Sequence, residues 1–116
     1  MTQFRPETLK GVTIKKKTGC GNMYVTVNYD ANGKPFELFS TMGKAGGCAA
    51  SQCEGLGRLV SLTLRHSVSV EATIKQLKGI KCHANNNGSE IHSCADAIGV
   101  CLELALSLNE KATVIT

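Results

Sequence analysis

Met23, Val25, Val27 and Tyr29 alternate with Tyr24, Thr26 and Asn28 through "MYVTVNY". A period of two predicts a strand with one buried face. Upstream, "GVTIKK" sets Val12 and Ile14 against Thr13 and Lys15 in the same way. Downstream, "PFELFST" reads as a third strand, and "DANGK", with Asn32-Gly33 inside it, is a turn signal that makes residues 23–41 a hairpin. Asp30 and Glu37 flank this turn and are expected to be solvated. After Gly47 the period changes. Ala49, Cys53, Leu56, Val60 and Leu64 recur at spacings of four and three, the stripe of an amphipathic helix. Ser69 can cap a short second helix with Glu71 in its first turn, and Gly79 can end it. A third helix opens at Ser93 with Asp96 three residues on, a capping-box-like start. Its buried stripe is expected at Ile98, Cys101, Ala105 and Leu108. "HANNNGSEIH" reads as a polar surface loop. The β-branched tail "ATVIT" suggests a strand added to an edge or to a partner subunit.

Strands first and helices after imply an α+β fold: a small antiparallel β-sheet of three to four strands, with two or three helices packed on it. A length of 116 residues fits one domain spanning 1–116. No apolar run is long enough to suggest a membrane span, and "MTQFRPETLK" has no apolar leader core. A cytoplasmic location is therefore expected. The formal net charge of +4 permits an anionic partner without demanding one. Lys15, Lys16 and Lys17 form the only tight basic run. With aromatics at 4% and no Trp, stacking platforms are scarce, which argues against nucleic acid as the partner.

Six cysteines in a chain without a secretory leader read as metal ligands, core fillers or redox groups. Cys53 and Cys101 fall within helix stripes, where a thiol serves as a small apolar residue. Cys20, Cys48, Cys82 and Cys94 fall at turns or helix ends, where four thiols could converge on tetrahedral zinc. No CxxC pair supports this by spacing alone. His83 and His92 flank two of these cysteines and could replace a sulfur.

The stretch "GKAGGCAAS" poses a second question. Gly43, Gly46 and Gly47 allow close backbone approach, and the following helix presents unpaired N–H groups. Lys44 could add charge and Ser51 a hydroxyl, with Arg58 and Arg65 as further candidates. The spacing matches neither GxxxxGK[ST] nor GxGxxG. A tight strand-to-helix turn accounts for the same glycines and is the commoner arrangement.

"GKAGGC", "QLKGIKC" and the Ser93-Cys94-x-Asp96 motif together resemble the TSCPD domain, over about Arg5 to about Leu108, leaving 109–116 as a tail. Such domains occur near the C-terminus of adenosylcobalamin-dependent (class II) ribonucleotide reductases and as small free-standing proteins. The resemblance implies cysteines at the positions of Cys20, Cys48, Cys82 and Cys94, and zinc as their ligand. The naming motif reads His92-Ser93-Cys94-Ala95-Asp96 here, so its proline is replaced by alanine. Reductase activity is not implied, since a chain of this length has no room for the radical-bearing barrel, and no catalytic constellation stands out.

The expected function is non-catalytic binding of a nucleotide or another phosphorylated small molecule, with Lys44, Gly46, Gly47, Ser51 and Arg58 as contacts. A ribonucleotide reductase is an expected partner for an accessory factor. A sequestering protein, like small phage sponges for cyclic nucleotide signals, is the other form of the same reading, and a homo-oligomer is expected there. A structural or protein-interaction module is the alternative, and a thiol redox protein using Cys82 or Cys94 is a third.

Overall fold

A computed structural model describes residues 5–19, 21–43, 47–82 and 91–115. Three strands, β1 (Gly11–Thr18), β2 (Gly21–Tyr29) and β3 (Pro35–Met42), precede three helices, α1 (Gly47–Arg65), α2 (Val70–Leu77) and α3 (Cys94–Ile115). The strands form an antiparallel sheet in the order β1-β2-β3. The α+β reading therefore holds. Its hairpin turn is fixed by Asp30, whose Oδ1 accepts from the N–H groups of Asn32 and Lys34, both at 2.9 Å. Gly33 takes a φ of 81° there, a region that favours glycine.

The alternation along β2 sorts the sheet into two faces. Met23, Val25, Val27 and Tyr29 are buried in one core with Ile98, Cys101, Leu102 and Ala105 of α3 and Cys53, Val60 and Leu64 of α1. Tyr29 also donates its hydroxyl to the Ala105 carbonyl at 2.6 Å, and burial pushes that phenol's pKa up. Burial likewise pushes the Cys101 thiol up to about 11. Cys53 and Cys101 are both fully buried, as the core reading of these two expects. The opposite face carries Thr13, Lys15, Tyr24, Thr26 and Phe39, all exposed or half-buried, with α1 bordering it only along β3.

The helix starts follow their caps. Ser69 Oγ accepts from Ala72 N–H at 3.0 Å, and Ser93 Oγ from Asp96 N–H at 3.0 Å. Two expectations at the end of α3 fail. Leu108 is 49% exposed, and Leu102 takes the buried place instead. By that level α3 has passed the strands, and only the hairpin turn lies beneath it, where Asn109 donates to the Gly33 carbonyl. The tail is helical through Ile115 rather than a strand. No Gly or Pro after Gly99 stops the helix, and continuing an established helix needs no new nucleus.

Where α2 crosses α3, a Cβ at Gly99 would lie 3.0 Å from Leu77 Cβ and 3.1 Å from the Lys78 amide nitrogen. Gly99→Val is therefore expected to destabilise the fold by about 2 kcal/mol through overpacking. Urea unfolding measures this, and a change within about 0.5 kcal/mol would mean that the crossing yields freely.

Candidate functional site

β3 is an edge strand, and α1 lies along it. One hydroxyl makes the junction: Ser61 Oγ accepts from Leu38 N–H at 2.9 Å and donates to the Leu38 carbonyl at 3.0 Å. Ser40 Oγ donates to the Cys53 carbonyl at 2.7 Å. Gly57 permits the approach, because a Cβ there would already sit 3.4 Å from the Leu38 carbonyl oxygen. Beside this seam lies a groove of about 630 Å³, with Phe39 and Met42 on the β3 wall and Ala50, Arg58, Leu62 and Arg65 on the α1 wall. From Ala50 to Arg65 the helix rises about 22 Å. The groove thus reaches from the first turn of α1 to its last.

At the far end sits a buried charge cluster. Glu37 is fully buried, so its expected solvation is overturned. Arg5 donates from Nε to Oε1 at 2.8 Å and from Nη2 to Oε2 at 3.1 Å. Arg65 Nη2 donates to Oε1 at 2.9 Å, and Asn28 Nδ2 to Oε2 at 2.7 Å. Burial alone would raise the Glu37 pKa. The hydrogen bonds from Arg5, Asn28 and Arg65 and the Arg5 charge outweigh it and hold the carboxyl below its ordinary value. The Arg65 guanidinium also stands 5.3 Å from the Phe36 ring centroid, a cation–π distance. Its Nε–H is shielded from water and has no acceptor among the described residues. Arg65 is thus a fixed cation at the groove's end rather than a solvated one.

Of the expected small-molecule contacts, Arg58 lines the groove and pairs with Glu54 Oε1 at 2.9 Å, both side chains largely exposed. Ser51 is exposed in the first turn of α1, and Gly47 opens that helix. Lys44 and Gly46 lie outside the described residues.

The cysteine-bearing segments gather at one end of the sheet. α3 has Asn109 at the Gly33 turn, so its Cys94 end points toward the opposite, Thr18–Gly21 end. Gly43 N–H donates to the Asn22 carbonyl at 2.8 Å, which brings the β3–α1 connection to that same end. Cys82 N–H donates to the His92 carbonyl at 2.8 Å, which sets the segment after α2 beside the start of α3. Asp96 ties the two together, accepting from Gly79 N–H on Oδ1 and from His92 N–H on Oδ2, both at 2.8 Å. Cys82 is exposed, while Cys94 is half-buried against the core. Cys20, His83 and the side chain of Cys48 lie outside what the structure describes. Among the described residues, no three His, Cys, Asp or Glu side chains are placed to share a metal ion. Of the four expected ligands only Cys82 and Cys94 have described thiols, a donor type that suits zinc.

Residues 2–106 match the TSCPD domain family. The chain belongs to this family. No curated protein and no solved structure matches it. Within this TSCPD domain the motif aspartate, Asp96, is an architectural group: 3% exposed, it spends both carboxylate oxygens on backbone amides. No helix among the described residues is long and apolar enough to cross a membrane. The groove and the Glu37 cluster escape sequence reading because their members come from the N-terminal segment, two strands and α1. The one available signal is a lone acid at position 37 in an otherwise apolar strand run.

Proposed function

We propose that this TSCPD domain is a non-catalytic binding module for a nucleotide or a related phosphorylated small molecule, seated in the groove between β3 and α1. The observation that carries the reading is the pairing, in one elongated groove, of two arginines with a half-exposed aromatic ring. Arg58 and Arg65 would meet the anionic group, and Phe39, 53% exposed, would meet the apolar one. The Arg65 side chain, held by Glu37, stays 30% exposed, so a fixed cation remains within reach of a ligand oxygen. A zinc held by Cys20, Cys48, Cys82 and Cys94 would staple the neighbouring end of the fold, and elemental analysis of protein purified without chelator tests that part. Such a module would serve as an accessory to a ribonucleotide reductase or as a sequestering protein for a nucleotide signal in the cytoplasm, in the latter case as a homo-oligomer.

Thermal unfolding against a panel of mono-, di- and cyclic nucleotides tests the reading. A ligand at a hundredfold excess over its Kd stabilises by about 2.7 kcal/mol. Arg58→Ala is expected to weaken that ligand about tenfold while leaving the melting temperature of the unliganded domain unchanged, because an exposed i,i+4 ion pair contributes little. The absence of any shift across the panel would sink the proposal. In that event the interaction-module alternative gains, with Leu59 and Leu62, 61% and 53% exposed on α1, as its contact surface.

A further inference from the structure

The face of the sheet turned away from the core carries a second pattern, which shares Phe39 with the groove but draws its cations from β1. β1 presents Lys15 and Lys17 there, both exposed and both paired in register with β2. Lys15 lies directly opposite Tyr24, Thr13 opposite Thr26, and Lys17 opposite Asn22. On the next strand Thr41 pairs with Tyr24, and Phe39 with Thr26. Tyr24 and Phe39 are therefore diagonal neighbours, close enough for large side chains to work together. They are 39% and 53% exposed. Next along the same face Thr13 and Thr26 add hydroxyls, which share a hydrogen bond at 2.9 Å. Gly43 lies beside the Tyr24 ring, where an added Cβ would sit 3.6 Å from Tyr24 Cε2. The only acid at the described positions of this face is Glu37, which Arg5 and Arg65 neutralise.

We propose that this open face is a platform for single-stranded nucleic acid, with two bases stacked on Tyr24 and Phe39 and the phosphates beside Lys15 and Lys17. Two adjacent rings on an uncovered sheet with a basic flank meet the two needs of such a ligand, a π-surface and a counter-charge. The exposed part spans about 13 Å along the strands and about 10 Å across them, room for about two splayed nucleotides. A paired duplex cannot offer its base faces to a flat sheet. The overall aromatic content is low, yet two of the chain's three Phe and two Tyr stand together on this face. Charge complementarity selects the occupant: a second copy of the chain would bring the same lysines.

Fluorescence anisotropy of roughly eight-nucleotide labelled pyrimidine strands, as RNA and as DNA, tests this on the whole chain. Both single strands, or the RNA alone, should bind at low salt, and the matching duplex more weakly. Tyr24→Ala is expected to weaken binding about tenfold and Tyr24→Phe to restore it. Lys15→Ala with Lys17→Ala should reduce the slope of log affinity on log salt by about 1.4. Arg58→Ala, the groove variant, should leave these values unchanged, so this result stands apart from the outcome for the groove. Thermal melts confirm that each variant is folded, and Lys15→Glu with Lys17→Glu, on the exposed edge, substitutes if Tyr24→Ala is not. The proposal is overturned if duplex binds as tightly as single strand, if removing both lysines leaves binding intact, or if light scattering shows a dimer that the Tyr24 or lysine variants dissociate.

Discussion

Glu37→Gln lowers the stability of the domain by about 3 kcal/mol near neutral pH. The amide keeps the shape of the side chain but turns an N–H group toward donors already aimed at Glu37 from Arg5, Arg65 and Asn28. Two half-exposed arginines are then left around a buried amide with no counter-charge. The size stays at the low end for a broken buried pair, because both guanidiniums reach water in part. The sign of the pH dependence follows from the direction of the shift. The folded-state pKa of Glu37 is depressed, so its contribution is full above the unfolded carboxyl pKa of about 4.3. It is lost as pH falls through the folded value below that. Urea unfolding of the wild type and the variant should therefore show the full gap at about pH 6–7 and a closing gap toward about pH 3. A gap below about 1 kcal/mol at neutral pH, or one that ignores acid, would refute the cluster's role. The local consequence reaches the groove, since Arg65 loses the partner that fixes it.

Asp96→Ala costs about 3 kcal/mol, by removing two charge-assisted hydrogen bonds to backbone amides and leaving Gly79 and His92 N–H groups unserved. The Ser93 cap survives, because Ser93 accepts from the backbone of residue 96 and not from its side chain. α3 is therefore expected to keep its start while the segment from Gly79 to Cys82 loosens. Hydrogen exchange should rise at the Gly79, Cys82 and His92 amides ahead of the core of α3. Asp96→Asn, which retains one acceptor, should fall between the two. If the amides at 79 and 92 exchange no faster in the alanine variant, the aspartate is not the tie between these segments. Any metal held jointly by Cys82 and Cys94 should bind more weakly in both variants, because their backbones are aligned through this carboxylate.

The parts of the fold legible in the residues are those set by near neighbours. Asn32-Gly33, Ser69 with Glu71, and Ser93 with Asp96 act over two to four positions, and each turn or cap forms where such spacing places it. The alternation in β2 and the stripe of α1 report a buried face directly. The burial of Glu37 is not legible in sequence because its partners stand 32, 28 and 9 positions away, and alternation alone puts position 37 on the face away from the core. Leu108 reads as buried because periodicity continues past the point where the sheet ends. The groove was invisible because it exists only once α1 lies along β3, through Ser61 and Gly57. Arg58 lines the groove because its place on α1 follows from the helix stripe, whereas the fixing of Arg65 depends on Phe36 and Glu37, which no local pattern announces. The zinc reading rests on thiols distant in sequence, two of whose side chains lie outside the described residues.

The single hydroxyl of Ser61, bridging both polar atoms of Leu38, has a consequence for the life of the chain before it is fully folded. Until the first helix docks, the last strand offers an unguarded hydrogen-bonding rim to any extended segment it meets, including its own counterpart on a sister molecule. The hairpin can zip early from its local turn, but it stays adhesive until a residue more than twenty positions later closes the rim. Solubility during synthesis is therefore tied to how quickly that helix arrives.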